Sequence, residues 1–342
     1  MNYFHINLII SQHSLNKFLY ININFIYKYI ERYEEECKIF DMYSGPITDP
    51  HQHLWDYQYK YSHGWLQMDG HPWTGDWTML AKNYLIDDYF DDIKNQNITK
   101  SVHVEAEWND EPGAWGETQW LHEINKKHNF PNSIVGHVNL SNDNAEHVIN
   151  KHLETSNLFV GIRHNQFNHD KDKDFIFSDV NNMQSNLWLE NFKLLEKYNL
   201  SFDLGCFYNQ LLDGANVAKN NPNVSIILNH VGQPIKREEE EFERWKKGIK
   251  VIAENQNVNC KLSGVTMTDH NWTNKSIKEI FDYVIDCFGI DRCIVASNFP
   301  VDKLFGSYDK IYNAYKEVLS QYSEDENKKL FQLNADRIYK IK

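Results

Sequence analysis

Cysteine is scarce and unpaired in this chain. Five occur among 342 residues, none of them in a Cys-x-x-Cys pair: Cys37, Cys206, Cys260, Cys287 and Cys293. An odd number at irregular spacing excludes a disulfide framework and is typical of a reduced, cytoplasmic protein. None stands beside an obvious base, which argues against a nucleophilic cysteine.

The chain also has no excess of positive charge and no long apolar run. The formal net charge is −13, so no basic stripe is available to displace the counterions of nucleic-acid phosphates. No run reaches the ~18 apolar residues that a membrane span requires. These absences argue against a nucleic-acid partner and a membrane protein. They leave a small molecule as the expected partner, with the oligomeric state unknown.

The first 41 residues differ in composition from the rest, being rich in Asn, Ile, Tyr and Lys. They lack the charged start, apolar core and small-residue cleavage site of a signal peptide. We expect translation to begin at Met42, so that residues 1–41 are an incorrectly assigned extension and residues 42–342 form the folded domain. The alternative is a genuine amphipathic extension that packs on the exterior of that domain.

From Ile47 onward, short β-prone runs alternate with amphipathic helical segments. Alternation implies parallel pairing, and eight such units predict a single α/β domain, a (β/α)8 TIM barrel. An open doubly wound sheet is the alternative, but no glycine-rich phosphate-binding sequence follows the first strand. The predicted strands are residues 47–53, 100–106, 133–139, 159–165, 200–206, 224–230, 258–263 and 292–298.

Two histidines lie two positions apart in the first predicted strand, within Asp49-Pro50-His51-Gln52-His53. Side chains two apart leave the same face of a strand, so both imidazoles point into one space. Imidazole is the commonest ligand side chain for metals. His51 and His53 are therefore candidate ligands of one zinc-type divalent ion. The alternative is a pair of surface histidines on an edge strand.

Polar residues gather where the predicted strands end, which is where barrel enzymes place their active sites. Glu105, Arg163 with His164, and His230 close the second, fourth and sixth strands. Glu105, Arg163 and His164 are candidate substrate-binding residues. The guanidinium of Arg163 could hold a carboxylate or the oxygens of a lactone, or it could pair internally with Glu105 or Asp203. His230 is a candidate third ligand or proton donor, the alternative being a core histidine.

The eighth predicted strand ends at Asn298, where a barrel hydrolase usually carries a carboxylate that activates water. An amide cannot accept a proton, but it can hold a water or donate to a developing oxyanion. Asp302, four residues on, is the nearest replacement. Asn298 and Asp302 thus join His230 as candidate catalytic residues.

Most of the tryptophans follow the first two strands. Aromatic side chains on long loops at the catalytic face suit the apolar faces of sugar rings or planar lactones, and Trp55, next to the histidine pair, is a candidate substrate contact. The alternative is a small aromatic core beneath a long loop. The residues concerned are Trp55, Trp65, Trp73, Trp77, Trp108, Trp115 and Trp120.

Taken together, these motifs resemble the amidohydrolase superfamily, in the amidohydrolase-related branch that includes fuconolactonases and pyrone-dicarboxylate lactonases. The likeness covers residues 42–342, and its motifs are specific in combination. They are Asp49-Pro50-His51-Gln52-His53-Leu54-Trp55-Asp56, Val160-Gly161-Ile162-Arg163-His164, Leu228-Asn229-His230-Val231-Gly232, Lys261-Leu262-Ser263-Gly264 and Ala296-Ser297-Asn298-Phe299-Pro300, with a final helix at Asn334-Ala335-Asp336-Arg337-Ile338-Tyr339.

The resemblance implies roles for the matching positions. His51 and His53 match a first-strand pair that binds metal in metal-using members and polarises a carbonyl in metal-free ones. Arg163 matches a substrate-contacting arginine, and His230 matches the sixth-strand histidine. Asn298 stands where the family usually has the aspartate that binds metal or activates water. The fifth strand also lacks the histidine of binuclear members, so a two-metal site is not expected.

The leading hypothesis is a hydrolase that opens a sugar-acid or dicarboxylate lactone. Water would attack a carbonyl polarised by one divalent ion on His51 and His53, or by the histidines and Arg163 without metal. A metal would lower the pKa of bound water enough that Asn298 need not act as the base. The alternatives are a barrel that binds such ligands without turnover and a metal-dependent decarboxylase.

Overall fold

Eight strands run parallel in one sheet whose order follows the chain. The computed structural model describes residues 42–59, 63–71, 73–108, 113–172 and 182–342. Residues 1–41, which we expect to be an incorrectly assigned extension, lie outside the described residues. The strands are β1 (Ile47–Gln52), β2 (Ile98–Val104), β3 (Ser133–His137), β4 (Phe159–Arg163), β5 (Ser201–Leu204), β6 (Ile226–Leu228), β7 (Val258–Leu262) and β8 (Cys293–Val295).

The sheet closes between β1 and the segment that follows β8. The backbone N–H of His53 donates to the carbonyl of Phe299 at 2.8 Å, and that of Asn298 donates to the carbonyl of His51 at 2.7 Å. Since each remaining strand pairs with its successor, the strands form a nearly closed barrel. The predicted single-domain (β/α)8 TIM barrel is confirmed.

Helices cover the outside of the barrel, and their buried residues recur every three or four positions. In α7, for example, Trp245, Ile249 and Ile252 are buried, and three glutamates occupy the positive N-terminal turn. The described helices are α1 (Ile86–Ile93), α2 (Trp115–His128), α3 (Ala145–Thr155), α4 (Asn186–Phe192), α5 (Leu194–Lys197), α6 (Leu211–Asn220), α7 (Glu239–Ala253), α8 (Asn274–Phe288), α9 (Tyr308–Leu319), α10 (Glu324–Lys328) and α11 (Asn334–Ile338). Among these helices, none has both the length and the apolar character needed to cross a bilayer.

The strands end one to three residues earlier than the sequence pattern predicts. Most of the polar residues expected at strand ends therefore lie on the first residues of the βα loops, whereas Arg163 is the last residue of β4 and His51 lies within β1. Several of them adopt left-handed backbone conformations, among them His230 with φ 50° and Asn298 with φ 64°. A left-handed residue cannot continue a strand, which is why the extended segments stop before these positions.

The C-terminal segment packs against the inside of the barrel. Ala335, Ile338 and Tyr339 form one apolar cluster with strand residues Val102, Val104, Val135, Ile227 and Ile294. The hydroxyl of Ser133, at the start of β3, donates to the carbonyl of Tyr339 at 3.1 Å. This segment thus fills the end of the barrel where the strands begin and leaves the opposite end for a site.

Candidate active site

A cavity of about 250 Å³ opens where the barrel strands end. Its wall is mainly aromatic and apolar, formed by Trp65, Met68, Trp73, Trp77, Phe167, Met267 and Val301. Its floor and mouth carry the polar side chains of His53, His71, Thr74, Glu107, Arg163, Asn165, His230, Gln233 and Asn298. This is the face on which barrel enzymes place catalysis.

His51, in β1, and His53, just after it, are joined in a chain of hydrogen bonds. His53 Nδ1 donates to the carbonyl of Val104 at 2.7 Å, which leaves its lone pair on Nε2. His51 Nε2 lies 3.2 Å from that Nε2, and His51 Nδ1 lies 3.2 Å from Nζ of Lys261. Because a charged lysine can only donate, His51 accepts at Nδ1 and carries its proton on Nε2. Burial, reinforced by nearby positive charge, lowers the pKa of both histidines well below the usual value.

Lys261, on β7, is fully buried and pairs with Asp203 on β5. Its Nζ lies 2.5 Å from Asp203 Oδ1. Burial lowers the pKa of Lys261 to about 8, although Asp203 opposes the shift. The hydroxyl of Tyr339 and the amide of Asn229 also donate to Asp203. Apart from the motif that contains Lys261, no sequence pattern indicates this pair, because its two partners lie on different strands.

Arg163 lines the cavity while it forms a buried ion pair with Glu105. Its Nε lies 2.5 Å from Glu105 Oε1, and its Nη2 donates to the Glu105 carbonyl at 2.5 Å. Burial alone would raise the pKa of Glu105, but Arg163 and His137 lower it to about 2. The remaining nitrogen, Nη1, lies 3.5 Å from His51 Nε2. The internal ion pair weighed in the sequence analysis therefore forms, and Arg163 still presents one nitrogen near the site.

His230 lies on the sharp turn that ends β6. Its Nδ1 lies 2.9 Å from the hydroxyl of Ser263, so Nε2 is the nitrogen available to a ligand. Gly264, with φ 63°, passes directly against the ring, and a Cβ there would lie 2.6 Å from it. Burial and the charge of Lys261 lower the pKa of His230 well below its usual value, which keeps the imidazole neutral.

Asn298 faces the cavity, whereas Asp302 lies behind it. Asn298 Nδ2 donates to Asp302 Oδ1 at 2.7 Å, which directs the amide oxygen Oδ1 toward His53 Nε2, 3.4 Å away. Asp302 is fully buried, and burial raises its pKa to about 7. The carboxyl of Asp302 therefore orients the amide and does not itself face the cavity.

Glu107 is a cavity residue that the sequence analysis missed. It follows β2 in a left-handed conformation, with φ 60°. Its backbone N–H donates to Glu105 Oε2 at 2.8 Å, and Asn165 Nδ2 donates to its Oε1 at 3.1 Å. Burial, and then the charge of Glu105, raise its pKa. The available signal was a second acidic residue two positions after the one expected at the strand end.

The chain matches known proteins over most of its length. A family model described as Amidohydrolase matches residues 48–341. The chain belongs to the amidohydrolase family. This amidohydrolase is 38% identical to the uncharacterized protein y4mH of Sinorhizobium fredii over 86% of the chain and 98% of y4mH. It is 24% identical to an L-fucono-1,5-lactonase of Burkholderia multivorans, over 86% of the chain and 95% of that enzyme.

The fold of this amidohydrolase is also found among solved structures. A crystal structure of a Burkholderia multivorans amidohydrolase with bound zinc superposes with a TM-score of 0.74 at 22% identity. The match covers 87% of this chain and 100% of the other. At this level of identity the likeness establishes the shared barrel.

Four of the predicted site residues line the cavity of this amidohydrolase: His53, Arg163, His230 and Asn298. His51 lies directly behind His53. The others are buried away from the lining: Trp55, Glu105, His164 and Asp302. Tertiary packing is the reason, since Trp55 donates to the carbonyl of Lys82 and His164 accepts from Trp188.

The described side chains only partly fit a metal ion. The 3.2 Å between the Nε2 atoms of His51 and His53 suits two ligands of one zinc ion, whose bonds to nitrogen are ~2.0–2.1 Å. The neighbours of His51 do not fit, because they are N–H donors and not ligands: Lys261 Nζ lies 3.2 Å from its Nδ1 and Arg163 Nη1 lies 3.5 Å from its Nε2. Among the described residues, no third His, Cys, Asp or Glu completes a ligand group. The described donor set therefore does not fit a resident metal ion.

Proposed function

We propose that this amidohydrolase hydrolyses a neutral, hydroxylated lactone of the sugar type. The observation that carries the proposal is one cavity that joins a polar floor with an aromatic wall and uncharged amide side chains. The family membership and the similarity to an L-fucono-1,5-lactonase support the same class of cyclic ester.

The floor of the cavity offers donors for a carbonyl oxygen. Arg163 presents Nη1, and His230 presents Nε2 once the Ser263 hydroxyl donates to its Nδ1. Both groups are held in place before substrate binds, so they can stabilise the negative charge that develops on the oxygen as water attacks. Removing one such donor typically costs ~10²–10³-fold in kcat.

A site for the attacking water lies beside these donors. Asn298 Oδ1 is an acceptor that can hold a water, whereas the lone pair of His53 Nε2, 3.4 Å away, already accepts from His51 Nε2. Asp302 fixes the amide of Asn298 so that its oxygen, and not its nitrogen, faces this position. We assign Asn298 to binding and orienting the water, since an amide cannot take the proton.

The charges of the cavity favour a neutral substrate over a dicarboxylate. Among the described lining residues Arg163 is the only lysine or arginine, and Glu105 already neutralises it. Glu107 adds a carboxylate that would repel an anion. The buried amide oxygens of Asn165 and Gln233 have no hydrogen-bond partner within the described part of the chain, and they are suited to accept from sugar hydroxyls.

A substrate panel tests the proposal. We expect the purified protein to open neutral 1,4- and 1,5-aldonolactones with kcat/KM at least ~10-fold above that for 2-pyrone-4,6-dicarboxylate, because like charges brought together cost several kcal/mol. Proton release in weakly buffered indicator solution measures the rate. Because N–H donors and not further ligands contact His51, we expect turnover to persist after treatment with a chelator.

Other outcomes of the panel would contradict the proposal. A preference for the dicarboxylate would show that a cation outside the described residues supplies its counter-charge. Release of CO2 from aromatic acids, without lactone opening, would identify a decarboxylase. A large loss of rate on chelation that zinc restores would assign His51 and His53 to a metal.

A second candidate function is a lactone-binding barrel without turnover. Asn298 favours it, since the position after β8 offers no carboxylate to the cavity. Calorimetric binding of an aldonolactone, with no hydrolysis of any lactone, would support this function. Rate recovery in Asn298→Asp would then show that the missing base is the reason.

A further inference from the structure

We propose that Glu107 is the proton-transfer residue of this site, taking a proton from the attacking water and giving it to the departing ring oxygen. The inference rests on the proposed lactone hydrolysis and names the base that this reaction needs. It assigns a role to a side chain on the loop after β2, whereas the sequence predicts catalytic residues on the loop after β8.

The other polar groups of the floor do not fill this role. Asn298 has no basic atom, and Asp302 lies behind it with Oδ1 engaged by the amide. His53 and His230 are neutral and strongly resist protonation, since they are buried beside positive charge. Among the described residues that line the cavity, Glu107 is the one Asp or Glu side chain.

Contacts on several sides hold the turn that carries Glu107. Its own N–H is bound by Glu105 Oε2 at 2.8 Å, while Glu105 Oε1 is held by Arg163. The preceding residue, Ala106, donates its N–H to Glu117 Oε1 at 2.9 Å. Asn165 fixes the carboxylate itself through Oε1. The side chain is therefore oriented before substrate binds, as efficient proton transfer requires.

The backbone gives a second, independent observation. Eight described residues other than glycine have a positive φ, and four of them line the cavity: Glu107, His230, Gln233 and Asn298. Such conformations cost energy for residues with a Cβ and concentrate at functional sites. Glu107 thus shares with His230 and Asn298 a strained backbone that directs each side chain into the same cavity.

The chemistry balances with Glu107 as the only proton carrier. The carboxylate, directly or through one further water, removes a proton as the water oxygen forms a bond to the carbonyl carbon, and the carbonyl π pair moves onto its oxygen. When the C=O bond re-forms, the ring C–O bond breaks and its electron pair leaves with the ring oxygen. Protonated Glu107 gives its proton to that oxygen. The product hydroxy acid then loses its carboxyl proton to solvent.

The test compares kinetic constants in the full-length protein on an aldonolactone that the wild type opens. Glu107→Gln keeps the size of the side chain and removes the base, so we expect kcat to fall ~10²–10⁴-fold with little change in KM. In the wild type, kcat should rise with pH as Glu107 loses its proton, at a pH above that of an ordinary glutamate. This acid limb should be absent from Glu107→Gln.

Chemical rescue separates proton transfer from a structural role. Glu107→Ala should be inactive and should regain rate with added formate, which supplies a carboxylate in the vacated space. Asp69→Asn removes an exposed carboxylate from the loop after β1 and should keep the wild-type kcat. Circular dichroism and thermal melting confirm that each variant is folded.

The outcomes distinguish this inference from the proposed function. If the wild type opens no lactone, both fail. If the wild type is active and Glu107→Gln keeps kcat within a few-fold, the assignment of Glu107 alone is overturned. Loss of activity in Glu107→Ala without any rescue by formate, or an unchanged acid limb in Glu107→Gln, also overturns it.

Discussion

Two buried ion pairs define the site at the scale of single residues. Arg163–Glu105 and Lys261–Asp203 each join residues 58 positions apart. Removing one partner of such a pair leaves an uncompensated buried charge and typically costs ~3–5 kcal/mol. Asp302 differs from these four residues, because the groups that donate to it, including Asn298, are neutral. Its carboxyl therefore prefers to keep its proton.

Asp302→Asn should stabilise the protein at alkaline pH. The folded-state pKa of Asp302 is about 7, above the usual 3.8, because of burial. The folded state thus binds an extra proton between about pH 4 and pH 7, so ionisation destabilises it as pH rises through this window. The full effect is present above pH 7, on the order of 4 kcal/mol at 1.36 kcal/mol per pKa unit.

Thermal melting at several pH values measures this effect. The variant should gain stability relative to the wild type between pH 5 and pH 8, and it should keep kcat within about tenfold because the oxygen of the introduced amide could still accept from Asn298. If the difference in stability between the variant and the wild type is no larger at pH 8 than at pH 5, Asp302 is ionised in the folded protein. A loss of kcat of ~10²-fold or more would return Asp302 to the role of base.

At the scale of elements, the turns after the strands place the reactive groups. β6 ends in a turn with His230 at φ 50° and Val231 at φ 51°, and β7 is followed by Gly264 at φ 63°. The lack of a side chain at Gly264 lets the β7 turn touch the His230 ring. The turn after β7 therefore fixes the imidazole that the turn after β6 presents.

Gly264→Ala should displace His230 and lower activity. The new Cβ would lie 2.6 Å from the imidazole, closer than any normal contact. Gly289→Ala is the matched control, since Gly289 has φ 75° and nothing within 4 Å of an added Cβ. A positive φ strains alanine at either position, by a cost on the order of 1–3 kcal/mol, but only Gly264→Ala adds a collision.

The two variants are compared by melting and by kcat on the same lactone. We expect both to lose stability, Gly264→Ala more than the control, and only Gly264→Ala to lose at least ~10-fold in kcat, the size of effect that a misplaced catalytic group produces. Equal effects of the two changes would show that the His230 ring moves aside without consequence.

At the scale of the whole molecule, the chain's last residues connect the closed end of the barrel to the site. Tyr339, three residues from the C-terminus, places its hydroxyl 3.0 Å and 3.1 Å from the two oxygens of Asp203. Asp203 in turn holds Lys261, which fixes the tautomer of His51. Packing of the C-terminal segment thus helps to hold the charged groups beneath the cavity floor in place.

Tyr339→Phe should destabilise the barrel by about 1.5–3 kcal/mol, the usual contribution of a hydrogen bond to a charged group. Tyr315→Phe is the matched control, because the buried hydroxyl of Tyr315 has no hydrogen-bond partner among the described residues. Chemical denaturation measures both, and we expect Tyr315→Phe to be neutral or stabilising. Equal losses in the two variants would show that the Tyr339 hydroxyl contributes nothing to the fold.

The sequence alone determined the fold and part of the candidate site. The alternation of strand and helix patterns predicts the eight strands and their parallel order, because periodicity is a local property of the chain. The spacing of His51 and His53 predicts that their rings converge, and the observed Nε2 atoms lie 3.2 Å apart. The predicted involvement of Arg163 and His230 follows from their positions at strand ends, and both line the cavity.

Only the tertiary structure decided which polar groups meet. Glu105 and His164 stand at strand ends just as Arg163 does, yet closure of the barrel buries them and leaves Glu107 in the cavity. The ion pairs of Arg163 and Lys261 depend on strands that are distant in sequence, and no local pattern encodes the partner of a buried charge. The physical reason is that desolvation makes each buried charge depend on a neighbour that only the closed barrel supplies.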